Sequence, residues 1–412
     1  MINQRCKGAR DLLPEDTERF RYIEDTFRSI CIKWGFREVK TPTIEPLHLF
    51  TSAGTLTPSM LSKVYSFLDW DGWSGERVVL RPDGTIPVTR LYIENMSEQK
   101  ICKLFYVTNV FTFEETGKED RERWQCGVEL FGDVKPTADV EIIMTISEII
   151  RNLGIGDIKI QLFHAGILKK LIKDLHLSPA EEAELLNQIG EGNWEILTCT
   201  NSAKSDIGNF LSSLLHIKGE NTGFLRNLKA LPGVSKELGD EIDNFAEVTN
   251  LLDALGCNYQ IDVTSSSGFE YYTGLCFQLL KGNVIIGGGG RYNNLVPLIG
   301  GERSPACGFA IYIDPLMNLV KPKGGENAER GVLIKGKTTS PEITKSCFDL
   351  AQSLRDLGYI AELDFNEYKA NWRWVITVQE DPEPFVVFDQ SLGKTSQEAS
   401  ITRVIEKVGG LI

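Results

Sequence analysis

The chain has 412 residues, 44 of them Lys or Arg and 57 Asp or Glu, for a formal net charge of −13. At 42% hydrophobic and 25% charged it has the composition of a globular protein with a large core, which excludes a disordered or collagen-like chain. No apolar run approaches the roughly 18 residues of a membrane span and the first residues lack the apolar heart of a secretion signal, so a cytoplasmic protein without a membrane partner is expected.

Pro14 opens a helix in which Phe20, Ile23, Phe27, Ile30, Cys31 and Trp34 recur at three- and four-residue spacing, and Gly35 ends it. A short strand follows through Val39 and breaks at Pro42, and residues 78–81 read as another. Residues 102–114 and 121–132 are long runs rich in Phe, Tyr, Val and Leu. The charged stretch Glu115 to Asp120 joins them, which predicts an antiparallel pair with a mobile loop. Val140, Ile143, Ile146, Ile150 and Leu153 mark the next helix, closed by Gly154, and 158–163 a strand. From about 177 to 250 the pattern is helical and acidic. Strand signals return at 258–263, 271–280 and 283–287, separated by Gly-rich turns, so the helical block reads as an insertion into a β-rich domain. After a Lys/Gly/Glu linker at 322–330, residues 331–412 alternate as a small α/β domain. Its strands are predicted at 331–335, 359–364, 374–378 and 385–388, its helices at about 341–357 and 399–408.

Nine cysteines without a C-x-x-C pair argue against a disulfide framework and a Cys-rich zinc site, and the four histidines do not cluster, so no metal is expected. No Lys/Arg run is present; with the acidic balance this speaks against tRNA or another nucleic acid as partner. Gly287 to Gly290, followed by Arg291 and Tyr292, lacks both phosphate-loop spacings, and a tight strand-end turn is the better reading. Gln125, Gly127 and Glu129 alternate onto one face of their strand. A Gln and a Glu aimed the same way from a central strand are costly unless they meet a ligand or each other. With Tyr271 and Tyr272 they suit a pocket for a zwitterion with a polar aromatic side chain: carboxylates for the ammonium, Tyr hydroxyls for the side-chain nitrogens.

Taken in order, these segments resemble the histidyl-tRNA synthetase family of class II synthetases over residues 1–320. Lys7 to Pro14 resembles the family's start, and Gly35 to Glu38 through Thr41-Pro42 its dimer-forming first motif. Leu80-Arg81-Pro82-Asp83-Gly84-Thr85 resembles L-R-P-E-G-T, the Tyr271-Tyr272 segment G-L-D-Y-Y-T-G, and Gly289 to Asn293 G-G-R-Y-D. The resemblance implies an α+β fold. By that resemblance residues 1–321 are expected to form a class II synthetase-like antiparallel sheet flanked by helices, with the helical insertion, and residues 331–412 an α/β domain like a degenerate anticodon-binding domain. It also implies histidine contacts at Thr85, Gln125, Glu129, Tyr271 and Tyr272, and at Asp83, one methylene shorter than the usual Glu.

The departures lie where phosphate chemistry needs positive charge. The family's F-R-x-E reads Phe111-Thr112-Phe113-Glu114, its G-F-A-I-G-I-x-R-L has Pro315 at the Arg, and Ser267 replaces the Arg before the histidine signature. Adenylate formation depends on positioned cations, and one lost preorganised charge costs roughly 10²–10³-fold in rate. Arg121, which matches an Arg of the motif 2 loop, and Arg291 remain as candidate phosphate contacts. A kept amino-acid pocket with lost catalysis resembles the synthetase-like regulatory subunits of ATP phosphoribosyltransferase, which act in the first step of histidine biosynthesis. That resemblance implies a non-catalytic chain with no cofactor. It would dimerise through the core, join a short catalytic subunit in a hetero-oligomer, activate it and bind histidine for feedback. The competing readings are an active histidyl-tRNA synthetase and a synthetase-derived binding module with another partner. The acid-rich segment 365–384 suits a partner-docking role better than RNA.

Overall fold

The structure, a computed structural model, describes residues 5–54, 61–70, 75–114, 116, 120–174, 177–178, 181–182, 185, 188, 218–231, 234–262, 272–321, 330–364, 372–380 and 383–409. Contacts divide the chain into two units, Met1–Val320 and Lys321–Ile412.

The first unit contributes β1 (Arg37–Glu38), β2 (Ile44–Pro46), β3 (Ser66–Trp70), β4 (Gly75–Leu80), β5 (Cys102–Phe111), β6 (Glu122–Phe131), β7 (Lys159–His164), β8 (Gln260–Ile261), β9 (Leu275–Lys281), β10 (Val284–Arg291) and β11 (Ala306–Tyr312). Among the described residues these build an eight-stranded sheet of order β1-β5-β6-β11-β10-β9-β7-β8 and a three-stranded sheet β2-β4-β3. The inner run from β5 to β7 is antiparallel, and only the end pairs β1–β5 and β7–β8 are parallel. This is an α+β architecture, as expected.

One face of the large sheet carries the main apolar core. Phe105, Val128, Leu130, Phe309, Ile311, Phe277 and Leu162 pack there against two helices. The first, Pro14–Lys33, starts on Pro14 with Glu15 and Asp16 in its first turn, where they complement the helix dipole, and buries Phe20, Ile23, Phe27 and Ile30. The second, Pro136–Asn152, presents Ile142, Ile143, Ile146 and Ile149. Gly35 and Gly154, at φ of 81° and 70°, take the left-handed turn that ends each helix. Fully burying one such side chain is worth about 1.5–3 kcal/mol. This layer therefore carries the fold and leaves the other sheet face to the site.

The opposite face is mixed. Toward β5 it is covered by Ile86, Val88 and Tyr92 of the helix Thr85–Asn95, which pack with Leu104, Phe131 and Leu295. Toward β10 it is floored by small residues. Gly287 to Gly290 lie inside β10, hydrogen-bonded on both sides, and this corrects the expected strand-end turn. The reason is steric: a Cβ at Gly287 or Gly289 would stand 2.6 or 2.1 Å from a backbone oxygen of β11.

The insertion expected at 177–250 is described in part, by helices Thr222–Lys229 and Lys236–Ala254; all of 189–217 lies outside the described residues. The loop residues Glu115 and 117–119 also lie outside them. No helix among the described residues is long and apolar enough to cross a membrane.

The second unit is a five-stranded sheet of order β13-β12-β14-β15-β16, from β12 (Gly331–Gly336), β13 (Ile360–Asp364), β14 (Trp374–Val378), β15 (Phe385–Asp389) and β16 (Lys394–Glu398). Helices Pro341–Asp356 and Ile401–Gly409 bury Leu350, Leu354, Val404 and Val408 against Val332, Ile334, Trp374 and Ile376. Ser340 caps the first of them by accepting the Ile343 N–H. Residues 322–329 and 365–371 lie outside the described residues.

Candidate functional site

A cavity of about 260 Å³ opens on the mixed face, lined by Asp83, Thr85, Gln125, Tyr272, Tyr292 and Tyr312 over Gly288, Gly308 and Ala310. Strand register explains its make-up. Glu129 pairs with Gly308, Gly127 with Ala310 and Gln125 with Tyr312, so three residues of β6 and three of β11 share one surface. Gln125, Gly127 and Glu129 thus do face one way, as their alternation predicts.

Glu129 is fully buried. Its carboxylate lies over Gly308, where a Cβ would come within 2.1 Å of Oε2. The Tyr292 hydroxyl donates to Oε2, while Oε1 is buried without a hydrogen-bond partner. Burial pushes the Glu129 carboxyl up to about 8; the hydroxyls of Tyr292, Thr85 and Tyr106 pull it back, and nearby Asp83 adds to the rise. Gln125 Oε1 is likewise buried and unpartnered. Two orphaned acceptors beside one cavity are what a site built for a donor-rich ligand looks like before that ligand arrives.

Asp83 is held at the mouth of the helix Thr85–Asn95, where its Oδ1 accepts the Ile86 N–H at 2.8 Å, and burial raises its pKa. Thr85 Oγ1 lies 3.4 Å from the Tyr106 hydroxyl. The Tyr106 ring is wedged between two backbones: a Cβ at Gly84 would come within 2.4 Å of it, and one at Gly127 within 2.1 Å. Tyr272 is half-buried at the rim, and its carbonyl accepts from Lys169 Nζ at 2.7 Å. Tyr271 and Ser267 lie outside the described residues.

The expected site residues Asp83, Thr85, Gln125, Glu129 and Tyr272 therefore meet at one place. Sequence reasoning missed Tyr106 and the contact of Tyr292 with Glu129. Tyr292 and Tyr312 sat in segments that stand out in the sequence, Gly289 to Asn293 and Cys307 to Asp314; Tyr106, and the placing of Tyr312 opposite Gln125, show themselves only through cross-strand register.

The two candidate phosphate contacts behave differently. Arg291 is a buried structural residue: it grips Asp139 through Nε and Nη2, at 3.0 and 2.7 Å, and donates to the carbonyls of Asp133 and Lys135. Its guanidinium is committed to these partners in the fold. Arg121 stacks on Phe113, 4.8 Å above the ring centroid, and its Nε is buried without a hydrogen-bond partner. Thr112 donates its N–H to the Arg121 carbonyl at 2.9 Å and brings no charge. Pro315 sits in the short helix Ile313–Met317, and Asp314 beside it is paired with Arg10. Arg81, next to Asp83, is also taken: it donates to Asn109 and to the carbonyls of Thr41 and Pro42. Among the described residues no cluster of three or more His, Cys, Asp or Glu is arranged to hold a metal ion.

A profile of histidyl-tRNA synthetases matches residues 8–316, which span the sheet and every described residue of the site. The chain belongs to the histidyl-tRNA synthetase family. Within it, a relative from Dehalococcoides mccartyi named ATP phosphoribosyltransferase regulatory subunit is 42% identical over 98% of both chains. A histidine–tRNA ligase of Methanosarcina acetivorans is 32% identical over 100% of this chain and 95% of its own. A Bacillus halodurans crystal structure described as ATP phosphoribosyltransferase regulatory subunit/histidyl-tRNA synthetase superposes with a TM-score of 0.79. It covers 92% of this chain and 98% of its own at 23% identity, and so shows the fold.

Proposed function

We infer that this chain is the regulatory subunit of an ATP phosphoribosyltransferase, a member of the synthetase family that binds histidine without activating it. The higher identity to relatives bearing that name supports the role. The observation that carries the ligand is the pair of buried, unmatched acceptors, Glu129 Oε1 and Gln125 Oε1, beside a cavity of amino-acid size. Glu129 and the tyrosine hydroxyls take the imidazole nitrogens; Asp83, Gln125 and Thr85 take the ammonium, with Tyr272 closing the ring end; Tyr271 is a contact by the family resemblance alone. Catalytic degeneracy is supported by Thr112, Pro315 and Ser267 at positions where the family has arginine, and by the commitment of Arg291 to Asp139. Arg121 keeps a phosphate contact open.

The partner is a short catalytic chain. The core self-associates through Gly35 to Pro42, the segment that resembles the family's dimer-forming motif and that places β1 at the edge of the large sheet. The unit Lys321–Ile412 docks a partner, not tRNA, in keeping with the acidic balance. Free cysteines among the described residues fit a reducing, cytoplasmic setting. Histidine acts by linkage: it favours one conformation of the complex, and a coupling of about 1–3 kcal/mol suffices to lower transferase activity several-fold.

The test is calorimetry together with reconstitution. Native chain is expected to bind histidine, raise the activity of a short transferase subunit and make it histidine-sensitive. Glu129→Ala is expected to lose about 2 kcal/mol of histidine affinity, roughly 30-fold, and to retain activation. Unaltered affinity in that variant, or no effect on the transferase, refutes the reading.

A further inference from the structure

The cavity is bounded unevenly. Gly288, Gly308 and Ala310 offer nothing larger than a methyl. At the next position of β11 on the same face stands Tyr312, opposite Gln125. Two residues back from Gln125 along β6, alternation puts Arg123 on that face as well. The Tyr312 hydroxyl is hydrogen-bonded to Gln125 and feels both Asp83 and Arg123.

The order of groups along β6 is therefore Glu129, Gly127, Gln125, Arg123, spread over about 20 Å of strand at roughly 3.3 Å per residue. A zwitterion with its ring at Glu129 and its ammonium between Asp83 and Gln125 has one direction left for its carboxylate, toward Tyr312 and Arg123. We propose that Tyr312 and Arg123 are specificity-determining residues that end the pocket at the ligand's carboxylate, so that it accepts a free α-amino acid and rejects one whose carboxyl carries a further group. This rests on the histidine-binding reading. A free carboxylate accepts from the Tyr312 hydroxyl and pairs with the Arg123 guanidinium, a charge-assisted contact that an ester or amide cannot make. The added atoms of an ester or adenylate also run into the Tyr312 ring, whereas a primary amide, of the same size as the carboxylate, loses only the charge.

Calorimetric titration of the full chain with histidine, histidine methyl ester and histidinamide tests this. Native chain is expected to bind the ester and the amide at least about tenfold more weakly than histidine, the scale of one lost charge-assisted hydrogen bond. Arg123→Gln should weaken histidine about tenfold and leave the two neutral-carboxyl ligands where they were. Tyr312→Gly should narrow the gap between ester and histidine by admitting the ester. Tyr312→Phe, which keeps the ring, guards against misfolding of the glycine variant, and should weaken histidine while still excluding the ester. Equal native affinity for histidine and its ester, or an Arg123→Gln chain that binds histidine unchanged, overturns the proposal. A native chain that binds none of the three ligands defeats the histidine reading itself, a distinguishable failure that takes the proposal with it.

Discussion

Around Glu129 polar groups are crowded and interlocked: Tyr292, Tyr106 and Thr85 surround one buried carboxylate, and Gly84, Gly127 and Gly308 give up their side chains to make room. Around Thr112 and Pro315, just past the ends of β5 and β11, the groups are neutral or already spoken for: Asp314 is paired with Arg10. Both regions descend from one family plan and share one scaffold. On the function proposed above, recognition and reactivity in this fold are separable: acceptors fixed by strand register persist while cations supplied by loops and strand ends are replaced.

The largest expected effect breaks or keeps this contrast outright. Histidine-dependent ATP–pyrophosphate exchange is expected to lie more than about 10³-fold below that of an active synthetase, since at least two positioned cations are missing. Exchange at an ordinary synthetase rate would mean that the cation-poor side still works. Next comes Gly127→Ala, which probes the crowded side. The new methyl meets the Tyr106 ring at 2.1 Å, so urea unfolding should show a loss of about 1–3 kcal/mol from overpacking. Unchanged stability would mean that Tyr106 moves freely and the site is not preorganised.

The smallest effect is a pH dependence. Glu129 rises from 4.5 to about 8 on folding, so its contribution to stability is full below pH 4.5 and is lost as pH climbs through about 8. Buried His164, outside the pocket lining, falls from 6.5 to about 4; its contribution is full above pH 6.5 and is lost as pH drops through about 4. Tm measured from pH 5.5 to 8.5 should therefore decline on the alkaline side in native chain and flatten in Glu129→Gln, while the acid-side decline survives that substitution. An alkaline decline of the same slope in Glu129→Gln would assign it to another group.

Much of the fold is legible in the sequence where one face is buried. The helices Pro14–Lys33 and Pro136–Asn152 and the pair β5–β6 announce themselves by period. β3 and β16 do not, because β3 is exposed along its whole length and β16 (Lys394–Glu398) is polar. The glycine run of β10 misleads for a physical reason: glycine is disfavoured in strands unless a neighbouring backbone or a ligand needs the space, and that need is visible only once β9 and β11 are alongside. In the site, Gln125 and Glu129 could be read from alternation. Tyr312 opposite Gln125, and Asp139 gripping an arginine 152 positions away, belong to tertiary register and leave no local signal.

The small-residue floor has one further consequence. A ligand resting on Gly288, Gly308 and Ala310 lies against peptide planes, which have no rotamers to immobilise, so the protein surrenders little conformational entropy beneath it. A flat, rigid ring profits most from such a surface, because both partners arrive already ordered. A branched or flexible side chain would find neither grooves to fill nor knobs to grasp.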